Sequence, residues 1–333
     1  MMIGGGSPLN RVHEVLQRMQ ENIDHIESLK TCCGVLAILS RDEANKLLIA
    51  RDGMRLIITV MQSHAGRVDL QEAACDLLWS LAFNNSLVKE LVGRHGGIAV
   101  IIKGMQKHTG SPDFLKSACG ALSNMCQNTH NQNLIASHGG VTCLMKVLGK
   151  HRSNPPLLPF IFDAMASLIV GNERNGLQMS EAGAIYEILA ILQAHLPRGD
   201  LVKSGCHALA ILSDIQGQGA KIARAHGVKV VLSALRHHRG HAELHRVAAV
   251  VALRMLQEAA VAGELARGGG IPIMFAILKA HLEELETVAA TIHILYLITH
   301  PDVLKGPPLI DVDQQIHANA FAAEDDPAAA GGG

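Results

Sequence analysis

The sequence predicts an all-α protein, a right-handed solenoid of about six full three-helix units with a partial unit before them. Three observations predict it: a spacing of 43 or 44 residues that recurs along most of the chain, a histidine at one register of every period, and a side-chain inventory suited to closely packed helices.

Glycines carry the spacing. Gly53, Gly97, Gly140, Gly227 and Gly270 each open an apolar run, and Ala184, after Gly183, fills the remaining slot. The anchors at 53, 97, 140, 184, 227 and 270 stand 44, 43, 44, 43 and 43 residues apart. Runs such as Met54-Arg55-Leu56-Ile57-Ile58-Thr59-Val60-Met61 place apolar side chains at +3, +4, +7 and +8 from the anchor. That is one face of a helix with about 3.6 residues per turn. Eleven residues after every anchor comes a histidine: His64, His108, His151, His195, His238 and His281. Six histidines at one register, from 19 among 333 residues, mark a true internal repeat.

Each histidine closes a middle helix. A short polar loop follows, then a longer helix, predicted over 70–82, 114–126, 158–170, 201–213, 243–256 and 285–298. These long segments are apolar on nearly every face, as expected of helices buried between neighbours. Asn84-Asn85, Asn128 and Gly171-Asn172 read as their stops, because Asn and Gly tolerate the left-handed region. A short third helix, such as 87–92 or 133–136, leads to the next anchor, whose glycine is expected to cap it and bend the chain. One such unit cannot bury both its apolar faces, so units stack and share a core. A helix near 10–20, introduced by Ser7-Pro8, is placed to cover the first unit. The expected layout is a flexible N-terminus over 1–9, a repeat array over 10–304 and a low-complexity, partly disordered tail over 305–333.

Gln71-Glu72-Ala73-Ala74-Cys75-Asp76-Leu77-Leu78-Trp79-Ser80-Leu81-Ala82 and His138-Gly139-Gly140-Val141 resemble the third-helix and Gly-Gly-Ile elements of armadillo repeats. The resemblance covers residues 26–304 and implies an armadillo-type α-solenoid. The Met-x-x-His endings at Met61 and His64, and at Met105 and His108, are similar to armadillo regions of leucine-rich repeat kinases and of several protist proteins. In armadillo proteins the long helices line a concave groove that holds extended peptides or partner helices. Importin-like repeats line it with a Trp and, one turn later, an Asn. The matching Trp positions here are Gly34, Asp76, Gly120, Asp163, His207, Val250 and His293; the Asn positions are Ile38, Ser80, Asn124, Ser167, Ile211, Arg254 and Leu297. Only Asn124 matches, without its Trp, so a nuclear-signal reading does not carry over.

Composition narrows the function. Apolar residues make up 48% of the chain but aromatics only 3%, so many small side chains must pack helices closely together. A net charge of −1 lacks the basic excess that phosphate contacts require, which argues against nucleic acid as partner. No apolar run is long enough to span a bilayer. The start Met1-Met2-Ile3-Gly4-Gly5-Gly6 resembles neither a secretory signal nor a myristoylation site. Seven cysteines without a C-x-x-C pair suit a reducing compartment, so a cytoplasmic location is expected, with a cilium or the cytoskeleton as alternatives.

Two repeated features resemble chemistry but fit structure. Ligand imidazoles must converge to about 2.0–2.1 Å of one ion, whereas stacked repeats lie about 8–10 Å apart, so the histidine ladder is expected to satisfy helix-end carbonyls instead. Cys33, Cys75, Cys119 and Cys206 share one register of the long helix with Phe162, which fits small groups at tight crossings. No G-x-S-x-G, H-E-x-x-H or G-x-x-x-x-G-K-[ST] appears, and neither a catalytic constellation nor a cofactor or metal site is expected.

The groove remains. Polar and charged residues interrupt the long helices at one-turn spacing, which a buried helix does not gain from. Lys30, Glu72, Lys116, Pro159, Lys203 and Arg246 form a row with four cations, pointing to an acidic partner segment. The candidate contacts are Asp76, Lys116, Asn124, Asp163, Lys203, His207, Arg246 and Arg254. In the tail, Leu309, Val312, Ile316 and Phe321 have loosely helical spacing and either cover the last unit or bind elsewhere. The expected function is a non-catalytic scaffold or adaptor that binds a protein segment. The alternative is a regulatory module acting on an enzyme, such as a chaperone exchange factor or ubiquitin-ligase substrate receptor.

Overall fold

The computed structural model describes residues 8–257 and 259–305, and among them there are helices and turns but no strand. The flexible N-terminus expected over 1–9 lies outside the described residues up to 7, and the tail lies outside them from 306. The chain divides into two compact units, Met1–Gln218 and Gly219–Gly333.

In the first unit α1 (Pro8–Glu21) packs on α2 (Ile26–Leu39) and α3 (Glu43–Leu48), and a π-helical turn, Ile49–Gly53, leads into the first full repeat. Each full repeat has a middle, a long and a short helix. They are α4 (Met54–Ser63), α5 (Val68–Ala82) and α6 (Ser86–Arg94); α7 (Gly97–Lys107), α8 (Pro112–Met125) and α9 (Thr129–Ser137); then α10 (Gly140–Lys150), α11 (Leu158–Ile169) and α12 (Glu173–Glu181). The unit closes with α13 (Ala184–Ala194) and α14 (Gly199–Ser213). Its long helices pack in series, α2 on α5, α5 on α8, α8 on α11 and α11 on α14.

The second unit is entered through α15 (Gln218–Arg224). It continues with α16 (Gly227–His237), α17 (Ala242–Met255), α18 (Ala259–Arg267), α19 (Gly270–Ala280) and α20 (Leu285–Thr299), and a 3₁₀ turn, Pro301–Lys305, follows. Here α17 packs on α20. All six predicted long helices are present, α5, α8 and α14 starting two residues earlier than expected.

The anchor glycines work differently from expectation. The left-handed residue is the one before the anchor: Gly96, Gly139, Gly183 and Gly269, with φ from 76° to 90°, and His226 at 65°. In these five repeats the anchor itself is the first helical residue, whereas Gly53 ends the π-helical turn before α4. A Cβ on Gly140 would stand 2.7 Å from the Ile135 carbonyl oxygen, so close approach to the preceding short helix, not φ, calls for glycine there. The asparagines are corrected too. Asn84 (φ 50°) and Gly171 (φ 65°) stop the long helices. Asn85, Asn128 and Asn172 instead start the next ones, each side-chain oxygen accepting from the backbone N–H three residues on.

The histidine ladder reaches across repeats rather than to its own helix. The imidazole Nε2 of His64 meets the Ile23 carbonyl at 2.7 Å, and those of His108, His151 and His195 meet the carbonyls of Ala65, Thr109 and Arg152 at 2.8 Å. A carbonyl oxygen only accepts, so Nε2 carries the proton in all four. The His backbone N–H meanwhile caps its own helix, as His64 does toward Val60. Further ties run alongside: Asn131 donates to the Lys89 carbonyl at 2.8 Å, and Gln132 donates to the carbonyls of Ser167 and Val170 at 3.0 and 2.9 Å.

The last repeat breaks the pattern. His281 Nε2 meets Nδ1 of His245 at 2.9 Å, and both rings are buried. The register of His245 is held in the first full repeat by Gln71, whose amide donates to the carbonyls of Met61 and His64 at 2.8 and 3.2 Å. His245 Nε2, in contrast, is buried with no hydrogen-bond partner. Burial first, then His281 and His241, hold its pKa below the ordinary imidazole value; the nearby carbonyls of His238 and Leu235 pull the other way. Glu284 lies 3.3 Å from the far nitrogen of His281.

Two predictions follow from this packing. All seven cysteines are free and buried, and burial raises the thiols of Cys33 and Cys206 to about 12 and that of Cys143 to about 11. A thiol reagent is therefore expected to label none of them quickly in the native protein, and replacing Cys119 by Leu to destabilise more than replacing it by Ala, by about 1–3 kcal/mol; fast native labelling of Cys119 contradicts this. His245 takes up a proton more readily when unfolded, so its contribution to stability is present above the unfolded pKa, about 6.5, and is lost as pH falls toward the lower folded value. His245→Gln, which copies Gln71, is expected to shrink the fall in melting temperature between about pH 7 and about pH 5. An undiminished fall refutes the assignment.

Candidate functional site

The long helices of the first unit leave one row of side chains uncovered, and six of the eight sequence-predicted contacts are on these helices. Asp76 is exposed on α5 and lines an open pocket of about 520 Å³ with Ser40, Arg41, Lys46, Trp79, Ser80 and Phe83. Glu72, one turn earlier, is half-buried; desolvation and then the charges of Asp113, Asp76 and Asp69 raise its carboxyl above the usual range. The α5 end of the row is therefore acidic.

Next to it stands an aromatic ledge. Trp79 is half-buried, and its ring meets Phe160 of α11 edge to face at 5.8 Å. Gly120 of α8 lies under the indole, where a Cβ would come within 2.5 Å of the ring. Lys116, exposed one turn earlier on α8, holds its ammonium 5.1 Å from the Phe160 ring centroid, a cation–π contact. Asn124 donates its amide to the Trp79 carbonyl at 3.0 Å. It fixes the backbone under the ledge and is a tie between repeats, as are the hydroxyl pairs Ser40–Ser80 and Ser123–Ser167 at 2.8 Å.

Beyond the ledge, α11 and α14 bring together Asp163, Lys203 and His207. Asp163 is exposed at its tip, yet desolvation by the surrounding wall raises its carboxyl; Ser204, His207 and Lys203 pull it back down. The remaining two predicted residues belong to the second unit. There Arg246 binds Glu243 at 2.8 Å, and Arg254 is half-buried with its carbonyl oxygen where a Cβ on Gly219 would be only 2.2 Å away. Lys30 at the other end is held by Glu27 and Asp69 at 3.2 and 3.3 Å. The row of cations is thus interrupted: Lys30 and Arg246 already face carboxylates, Lys116 lies over Phe160, and Lys203 acts on Asp163.

Sequence reasoning placed Trp79 inside a buried helix and missed Phe160 and Phe83. Two signals pointed to the ledge: Trp79 is the single tryptophan of the chain, and Gly120 interrupts a long helix that gains nothing from glycine unless another group approaches closely. Among the described residues no three His, Cys, Asp or Glu side chains gather where they could hold a metal ion, and no single helix is long and apolar enough to cross a membrane.

Comparison with known proteins gives a consistent picture. A family model described as the GAC ARM domain matches residues 111–299. No curated protein matches the chain. Among solved structures the chain resembles an engineered protein at TM-score 0.74 and 18% identity, covering 86% of this chain and 68% of that one. It resembles a designed armadillo repeat protein in complex with the peptide (KR)4 at TM-score 0.62 and 18% identity, covering 74% and 100%. A structure from work on the interaction between cadherin and β-catenin aligns at TM-score 0.55 and 13% identity, covering 88% and 61%. At these identities the likeness is one of fold.

Trp79 offers a direct check of the ledge. Gly120→Ala is expected to push the indole off α8 and shift its emission, with helicity unchanged, since small-to-large changes at tight contacts cost about 1–3 kcal/mol without loss of fold. Unchanged fluorescence contradicts the packing described.

Proposed function

Because the chain belongs to the GAC ARM domain family, we propose that it is a non-catalytic scaffold holding an extended or helical segment of another protein along the uncovered row of its first unit. The observation that carries this reading is the ledge of Trp79 and Phe160, braced by Gly120, Asn124 and Lys116. Rigid aromatic surface beside fixed charge is what binding hot spots are made of, because little side-chain freedom remains to be lost on association. A buried structural helix has no use for it.

The charge pattern indicates the partner. An apolar or aromatic side chain sits on the ledge. Acidic residues beside it meet Lys116, Lys203 and His207, while Glu72 and Asp76 favour a basic residue at the α5 end. This refines a uniformly acidic partner into one of mixed charge whose acidic part lies toward α14. Asp163 adds selectivity by repelling acid from one position between two cations. Two relatives in fold support protein binding in general: one is a complex with a (KR)4 peptide, the other belongs to work on cadherin and β-catenin. A cytoplasmic location is part of the proposal.

A random peptide library panned on the purified protein tests it. Wild type is expected to enrich segments with an apolar anchor followed by acidic residues. Trp79→Ala should weaken selected peptides by about 2 kcal/mol or more, roughly thirtyfold. Lys116→Glu with Lys203→Glu should remove the acidic preference, and salt should weaken it in wild type, exposed charges being screened over about 8 Å at physiological ionic strength. Identical pools from wild type and both variants, with helicity intact, would falsify the reading.

A further inference from the structure

The last repeat leaves bare a face that the earlier repeats bury. Ile292 of α20 occupies the register of Cys33, Cys75, Cys119, Phe162, Cys206 and Ala249; all six are 0% exposed, and Ile292 is 54% exposed. Phe275 of α19 stands where Ile58, Ile102, Leu189 and Leu232 stand, none of them above 4%, and where Met145 is half-buried; Phe275 is 60% exposed. Val288 and Leu295, in registers that hold buried leucines elsewhere, are half-covered, and Leu285 and Tyr296 extend the patch. An apolar strip of this kind runs the length of one helix in an array whose terminal repeats need a polar outer face.

The segment that follows it in sequence has the complementary pattern. The 3₁₀ turn Pro301–Lys305 packs on α18 and α20, so the described chain ends beside these helices. Gly306-Pro307-Pro308 suits a reversal, since Gly permits the bend and Pro cannot continue a helix. In helical spacing Leu309, Val312 and Ile316 share one face at i, i+3 and i+7, edged by Asp313 at i+4, while Asp311, Gln314, Gln315 and Phe321 lie off that stripe. A helix of 13 residues, the number in 309–321, would extend about 20 Å, against about 22 Å for the 15 residues of α20.

We propose that residues 309–321 turn back over α19 and α20 and cover this face, taking the place that a following repeat holds elsewhere in the array. The tail is then a cap of the second unit, and its polar stripe becomes the outer surface of the last layer.

Thiol accessibility in the full chain tests this, since the native cysteines are all buried. Ile292→Cys is expected to react with a small thiol reagent about tenfold or more slowly than the same substitution combined with Val312→Asp and Ile316→Asp, the open fraction of a docked segment being small. A second measurement is independent of rate: Ile292→Cys with Ile316→Cys should form an intramolecular disulfide in dilute protein under mild oxidation. Equal labelling rates together with no such disulfide overturn the proposal. Protection that appears only as protein concentration rises also overturns it, because a second copy of the chain is then the occupant.

Discussion

The first unit depends on a hydrogen bond that recurs in four successive repeats: the Nε2–H of a histidine at the end of a middle helix, donated to a carbonyl in the turn before the preceding long helix. Apolar stacking alone is nearly indifferent to a small slide of one helix along another. The imidazole bond is directional, contributes about 0.5–1.5 kcal/mol, and is more costly to leave unmade, so it sets the offset between successive units. The same histidine closes its own helix through its backbone N–H, so one residue type handles both ends of the problem. On the other edge the Asn131 amide reaches back to Lys89 and the Gln132 amide forward to Ser167.

The architecture was legible in the sequence because it is periodic, and a period is visible without any knowledge of contacts. The anchors, the ladder and the long helices needed only counting. What periodicity could not reveal is which of two partners a repeated polar group chooses. The ladder histidines looked like caps for their own helices; their reach across the interface depends on a turn carbonyl that no spacing marks. Asn124 looked like a ligand contact for the same reason, although its amide holds the Trp79 carbonyl. Asn85, Asn128 and Asn172 were read as stops because Asn suits both a helix end and a helix start, and only the fold decides between them.

The uncovered row shows the opposite limit. Its charged members announced themselves as interruptions of apolar helices, but its organising feature is a pair of aromatic rings from repeats that are not adjacent in sequence. Trp79 and Phe160 belong to different registers, so alignment of the repeats separates them, and Gly120 between them reads as one more small residue. Sites built from departures from a repeat are invisible to any method that averages over it.

Because each ladder bond joins a unit only to the one before it, the chain tolerates change in whole units and resists change in fractions. Gain or loss of a full period among these four repeats leaves each remaining imidazole facing an equivalent carbonyl. A single-residue insertion between a ladder histidine and the turn that receives it moves the donor off its acceptor at that joint and disturbs no other. Array length is therefore an evolvable quantity counted in integers, and the loop between the middle and long helices, though solvent-facing, is one of the least permissive places in the molecule for a small insertion.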